Sequence, residues 1–180
     1  MDGLTEKTLD IKNVYQGQII NLQVKEVELP DGERSVRELA EHQPGAAVVT
    51  YQQGKVILVK QFRTGAEEVL YELPAGLVEA GEAPAECAQR ELAEETGYQA
   101  NSLEKICQFY TSPGFTNEVL HIYLATDLIK SEQNMDKHEF VEVEELELRE
   151  VENKLTGGQF KDAKTIIGLQ HLLNNLNKNN

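Results

Sequence analysis

The chain has 180 residues, enough for one domain or for a small domain with an added lobe, and its 40% hydrophobic and 27% charged content suits a globular protein with a real core. Lys and Arg number 17 against 31 Asp and Glu, and the formal charge of −14 sets the surface against nucleic acid and anionic membrane as partners. No apolar run nears the roughly 18 residues of a transmembrane helix, the opening MDGLTEKTLD lacks the basic and apolar blocks of a signal peptide, and the solitary Cys87 and Cys107 have no metal-ligand spacing, so the expected location is the reducing cytoplasm.

The N-terminal part reads as β structure. Ile20, Leu22 and Val24 alternate with polar residues, LPDGE (29–33) is a turn, and RSVRELAEH (34–42) is a second extended segment. Such strands alone make a thin antiparallel sheet with exposed edges, which calls for a second copy or for packing on the rest of the chain. Residues 1–42 are therefore expected to form a small β lobe serving dimerisation, and residues 43–180 the main domain. There, GAAVVTY and KVILVKQF are short apolar runs separated by QQG, which predicts two buried strands joined by a hairpin. VLYELPAGLVE is a strand that breaks at Pro74 into a glycine-containing loop.

A helix is predicted from Pro84, suited to a first turn, to Thr96, with Gly97 just past its end. Ala85, Ala88 and Leu92 form its apolar stripe, beside Glu91, Glu94 and Glu95. Strands follow at 103–110, 119–125 and 140–146, then helices at 148–155 and 163–176, the second N-capped by Asp162, and an Asn-rich tail at 174–180. The class is α+β, layered around a mixed sheet.

Glu91, Glu94 and Glu95 stand at i, i+3 and i+4, so they share one helix face and repel one another unless solvent or a positive group intervenes. A one-sided carboxylate cluster offers oxygen ligands to Mg²⁺ or Mn²⁺. A glycine loop ahead of the helix can bring backbone groups to the same point, and metals held there can bridge a diphosphate and activate water. Cys87, one turn before Glu91, lies in acidic surroundings that discourage a thiolate, and there is no P-loop lysine motif.

The spacing runs further. Gly76, five residues, Glu82, seven residues, Arg90-Glu91-Leu92, one residue, Glu94-Glu95, one residue, Gly97 and Tyr98 fill a 23-residue window. It resembles the Nudix box of the Nudix hydrolases, departing only at Tyr98, where the family prefers an aliphatic residue. The resemblance implies an α/β/α sandwich with a mixed sheet, here with a small N-terminal antiparallel sheet added, and hydrolysis of a nucleoside diphosphate linked to another moiety. It implies Mg²⁺, with Mn²⁺ as the alternative, on Glu91 and Glu95 with Glu94 assisting. Glu82 would support the loop or an outer metal, Arg90 would orient the glutamates, and the carbonyl of Ala75 would be a further ligand.

Pro113, 16 residues after Gly97 within SPGFTNE, resembles the ADP-ribose pyrophosphatase subfamily, as do ELPAG (72–76) and VKQFR (59–63). That likeness spans residues 15–175. It implies a homodimer that converts ADP-ribose to AMP and ribose 5-phosphate. Arg37 and Arg63 would grip the nucleotide, Tyr15 would stack on adenine, Glu118 would sit near the ribose-phosphate end, and Pro113 would shape the loop for the terminal ribose. A general base is implied in a loop before a late strand; Ser131 to Phe140 offers Glu132, Asp136 and Glu139, with Glu139 favoured beside the strand start and His138 a candidate proton carrier. The alternatives are another nucleotide sugar such as GDP-mannose, or a Nudix-fold ADP-ribose sensor without catalysis, against which the intact box carboxylates argue.

Overall fold

The computed structural model describes residues 2–134 and 140–178. The chain divides into two compact units, Met1–Pro44 with Phe109–Val119, and Gly45–Gln108 with Leu120–Asn180.

The first unit opens with a 3-10 turn, Asp2–Leu4, and holds three antiparallel strands in the order β1 (Lys7–Gln16), β2 (Ile20–Glu28) and β3 (Arg34–His42). The turn between β2 and β3 places Gly32 at φ 87°, where a side chain would strain, and Asp31 Oδ1 accepts the Glu33 N–H at 3.0 Å. β1 is exposed along its whole length. The segment 111–118 joins this unit: Ala40 N–H donates to the Phe115 carbonyl at 2.7 Å, and Thr111 N–H to the Glu118 carbonyl at 3.2 Å.

The second unit carries two sheets. One is ordered β7 (Ala75–Leu77), β4 (Gly45–Thr50), β9 (Val119–Lys130) and β8 (Tyr98–Tyr110), with β4 antiparallel to β7 and parallel to β9. The other is antiparallel and ordered β10 (Val141–Glu147), β5 (Lys55–Arg63) and β6 (Glu68–Glu72). Three helices complete it: α1 (Pro84–Thr96), α2 (Leu148–Thr156) and α3 (Ala163–Lys178).

β4 explains its own sequence. Ala46 and Val48 join Ala88 and Leu92 of α1 in one cluster, while Val49 meets Gly168 of α3 on the other face. A strand covered on both faces reads as a continuous apolar run. The fit on the α3 side is close: a methyl added at Gly168 would lie 2.6 Å from Val49 Cγ2 and 2.7 Å from Leu73 Cδ1. This is the helix–sheet–helix layering expected of an α/β/α sandwich.

The hairpin expected across QQG is corrected. The tight turn exists, with Gln53 at φ 51° and Gly54 at φ 80° and Gln52 bridged to Lys55. The ladder ends there, because β4 and β5 belong to different sheets. The Thr50 hydroxyl takes over, accepting the Ile57 N–H at 2.6 Å. β8 also begins earlier than predicted, at Tyr98 and not at 103.

Candidate active site

The loop and helix that carry the box are set by local chemistry. α1 starts at Pro84, and the Glu86 carboxylate reaches back to accept the Ala83 N–H at 2.8 Å. It ends at Gly97, whose φ of 71° favours glycine and whose N–H donates to the Ala93 carbonyl at 2.9 Å. Cys87, Ala88 and Leu92 face the core. Two of the acidic residues are buried with them, Glu91 at 8% exposure and Glu95 at 2%.

The positive group among the glutamates is Arg90. Its Nε donates to Glu82 Oε1 at 3.0 Å and its Nη2 to Glu82 Oε2 at 3.1 Å. Nη1 donates to Glu91 Oε1 at 2.6 Å and to Glu94 Oε2 at 3.0 Å, and Nη2 also reaches the Leu77 carbonyl at 3.1 Å. One planar fork thus holds three carboxylates and the loop backbone, which a lysine could not do. Arg90 is driven further toward the charged form, first by the Glu82 hydrogen bond. In return, that hydrogen bond holds the Glu82 carboxyl below the usual carboxylate range, helped by the Glu79 N–H at 2.9 Å.

Gly76 has a steric task. Any Cβ there would lie 1.9 Å from Glu91 Oε1, so the carboxylate rests where only a glycine leaves space. Next to it, the Ala75 N–H donates to Glu95 Oε2 at 3.1 Å. The Cys87 thiol points at the same loop, 3.4 Å from the Leu77 carbonyl. Burial, reinforced by Glu91 and Glu82, pushes that thiol up to about 12, so it is inert.

The donor chemistry fits a hard divalent cation: Glu82, Glu91, Glu94 and Glu95 supply oxygens, and the Ala75–Gly76 backbone closes on two of them. Among the described residues, no three His, Cys, Asp or Glu side chains converge closely enough to chelate a metal as they stand. Glu82, Glu91 and Glu94 converge on Arg90.

A second charged cluster, not foreseen from the sequence, lies at the end of β6. Glu72, only 2% exposed, accepts Arg63 Nε at 2.6 Å and Nη2 at 2.7 Å, and also pairs with Lys164 of α3. Burial pushes the Glu72 carboxyl up, but Arg63 and Lys164 outweigh it and hold it low. Arg63 is held charged by Glu72 first, and feels Glu95 as well. Glu72 is visible in ELPAG, but one glutamate in a strand carries no sign of its partners.

The other candidates lie as follows. Arg37 on β3 forks onto Glu6, with Nε at 3.0 Å from Oε2. Tyr15 on β1 is exposed. Pro113 is exposed in a turn closed by the Phe115 N–H on the Ser112 carbonyl at 3.0 Å. Glu118 accepts the Thr111 hydroxyl at 2.7 Å and lies 3.2 Å from His42 Nδ1. These four belong to the first unit, whereas Arg63 and the box belong to the second. Glu139, Asp136 and His138 lie outside the described residues. Glu132 is described: it lines a cavity of about 480 Å³ whose wall includes Arg90, Glu94, Gln99 and Asn101.

The NUDIX domain family matches residues 41–167. An ADP-ribose pyrophosphatase of Bacillus subtilis (strain 168) is 44% identical over 176 residues, 96% of this chain and 95% of that one. A methanol dehydrogenase activator of Bacillus methanolicus is 40% identical over 170 residues, 93% of this chain and 92% of that one. A crystal structure of an ADP compounds hydrolase matches with a TM-score of 0.88 at 23% identity, covering 98% of this chain and 97% of that one, which is a likeness of fold. The chain belongs to the NUDIX family.

Proposed function

We propose that the chain is a divalent-metal-dependent ADP-ribose pyrophosphatase. The observation that carries this is the Arg90-centred cluster of Glu82, Glu91 and Glu94, with Glu95 of α1 accepting the Ala75 N–H, in a chain related over nearly its full length to an ADP-ribose pyrophosphatase. Hydrolysis places the oxygen of water on one phosphorus of the diphosphate and breaks the bridging P–O bond, leaving AMP and ribose 5-phosphate.

Glu91, Glu94, Glu95 and the Ala75 carbonyl would hold Mg²⁺ or Mn²⁺, with Glu82 in support, and the bound cation would offset charge developing on the diphosphate. Arg90 orients the carboxylates. Arg63 contributes a guanidinium for the diphosphate, and Arg37, Tyr15, Glu118 and Pro113 contribute to nucleotide and ribose recognition. Glu139 takes the proton from the attacking water. Glu132 shares a cavity wall with Glu94, so it is the control for Glu139.

The same proposal includes a cytoplasmic location and a homodimer formed through the first unit, where Ile11, Val14, Tyr15 and Val36 are exposed. Among the described residues, no helix is long and apolar enough to cross a membrane. The experiment is a substrate panel with Mg²⁺, containing ADP-ribose, GDP-mannose and other nucleotide sugars. Preferential release of AMP from ADP-ribose supports the assignment, and preferential cleavage of GDP-mannose refutes it.

A second reading follows from the Bacillus methanolicus relative, named for activating a methanol dehydrogenase. Here the chain would raise the turnover of a partner dehydrogenase. Dehydrogenase rates with and without the chain separate the two.

A further inference from the structure

Lys164 breaks two ordinary rules. It stands in the first turn of α3, where the helix dipole opposes a cation, and it is only 8% exposed. Such a placement holds only if the charge is matched closely. The match is Glu72, buried at the end of β6, together with Asp162 at 3.0 Å from Lys164 Nζ. Asp162 in turn accepts the Thr165 N–H at 3.0 Å, and the Thr165 hydroxyl accepts the Leu73 N–H at 2.9 Å. The start of α3 therefore grips Glu72 by its side chain and Leu73 by its backbone.

From that grip the chain runs straight into the site. The Pro74 carbonyl accepts the Val48 N–H at 2.9 Å, and the Ala75 N–H donates to Glu95 at 3.1 Å. The other branch is Arg63, whose fork closes on the same Glu72 carboxylate that Lys164 holds. A single ammonium thus determines how fully Glu72 depends on Arg63 for its countercharge. With Lys164 in place, Arg63 supplies only part of it, and a guanidinium that remains 45% exposed has attraction left for a phosphate.

We propose that Lys164 is a positioning residue for the diphosphate: it shares the Glu72 charge, and so keeps Arg63 oriented and available for substrate. This rests on the assignment of Arg63 to the diphosphate made above. Without Lys164, Glu72 draws on Arg63 alone, and substrate must compete with a buried carboxylate for the fork.

The test is steady-state hydrolysis of ADP-ribose by Lys164→Met, Lys164→Arg and Arg63→Gln, with circular dichroism confirming the fold. The expected result is a KM about tenfold higher in Lys164→Met with kcat changed less than about threefold, and recovery of most of the loss in Lys164→Arg. A purely structural lysine would lower thermal stability and leave the KM of the folded protein unchanged, which overturns the proposal. If Lys164→Met does not fold, Lys164→Gln, which keeps a polar head beside Glu72 without the charge, carries the same test: a KM raised about tenfold supports the role, and a parental KM overturns it. A raised KM in Arg63→Gln with none in the Lys164 variants removes Lys164 alone, whereas an unchanged KM in Arg63→Gln removes the Arg63 assignment itself.

Discussion

The carboxylate of Glu91 rests against the Cα of Gly76, so close that an added methyl would lie 1.9 Å from Glu91 Oε1 and 2.2 Å from its carboxyl carbon. Gly76 is not at a left-handed φ, so the backbone permits alanine, and the three atoms nearest an added methyl all belong to the Glu91 carboxylate. Gly76→Ala is therefore expected to fold with a lowered melting temperature, because the buried Glu91 must shift away from Arg90, and to lose roughly a hundredfold in kcat as the carboxylate is displaced. A thermal melt and a rate measurement on the same sample check both halves.

Arg90→Lys keeps a charge but loses the fork that holds Glu82, Glu91 and Glu94 at once. The variant is expected to be less stable by about 1–3 kcal/mol, with kcat down by at least about tenfold. Denaturant unfolding and initial rates decide this; a parental rate would show that the carboxylates need no common anchor.

Acid should weaken this fold through Glu82 and Glu72. Both carboxyls are held below their usual value, Glu82 by Arg90, and Glu72 by Arg63 and Lys164 against the cost of burial. A depressed folded-state value gives stability that is fully present above the unfolded Glu value of about 4.3, and is lost as pH falls through the lower folded-state value. Melting temperatures measured downward from pH 6 should drop steeply below that range, and Glu82→Gln should flatten part of the drop. A Glu82→Gln profile parallel to the parent would contradict the assignment.

The Cys87 thiol, fully buried and pushed up to about 12, should resist alkylation at pH 8 in the folded protein and react only on unfolding. Mass spectrometry after brief iodoacetamide treatment reads this directly, and rapid labelling of Cys87 would contradict the packing around Gly76 and Leu77.

The sequence was most readable where local chemistry decides the structure. Pro84 and Gly97 mark the ends of α1 because one needs no N–H and the other takes φ 71°. The box spacing identifies the carboxylates because a helix fixes which side chains share a face. Pairing between distant strands was hidden: GAAVVT and KVILVKQF look alike as buried strands, and nothing local says that they join different sheets. β8 reaches back to Tyr98, where Tyr98 and Ala100 alternate with Gln99 and Asn101 and pack on the core, but two apolar residues beside the Gly97 turn are too short a run to announce a strand. Lys164 was invisible for the same reason as Glu72, since each is meaningful only opposite the other, 92 residues away in the chain.

Whether the carboxylates of the box helix serve hydrolysis of ADP-ribose is decided by Glu95→Gln, whose side chain the Ala75 N–H holds, beside the parent chain. ADP-ribose and Mg²⁺ are supplied, and AMP and ribose 5-phosphate are quantified by chromatography. The expected result is equimolar release of both products by the parent, abolished by EDTA, and at least about a hundredfold slower in Glu95→Gln. A Glu95→Gln protein that turns over at the parental rate, or a parent that leaves ADP-ribose intact while cleaving another nucleotide sugar, would contradict it.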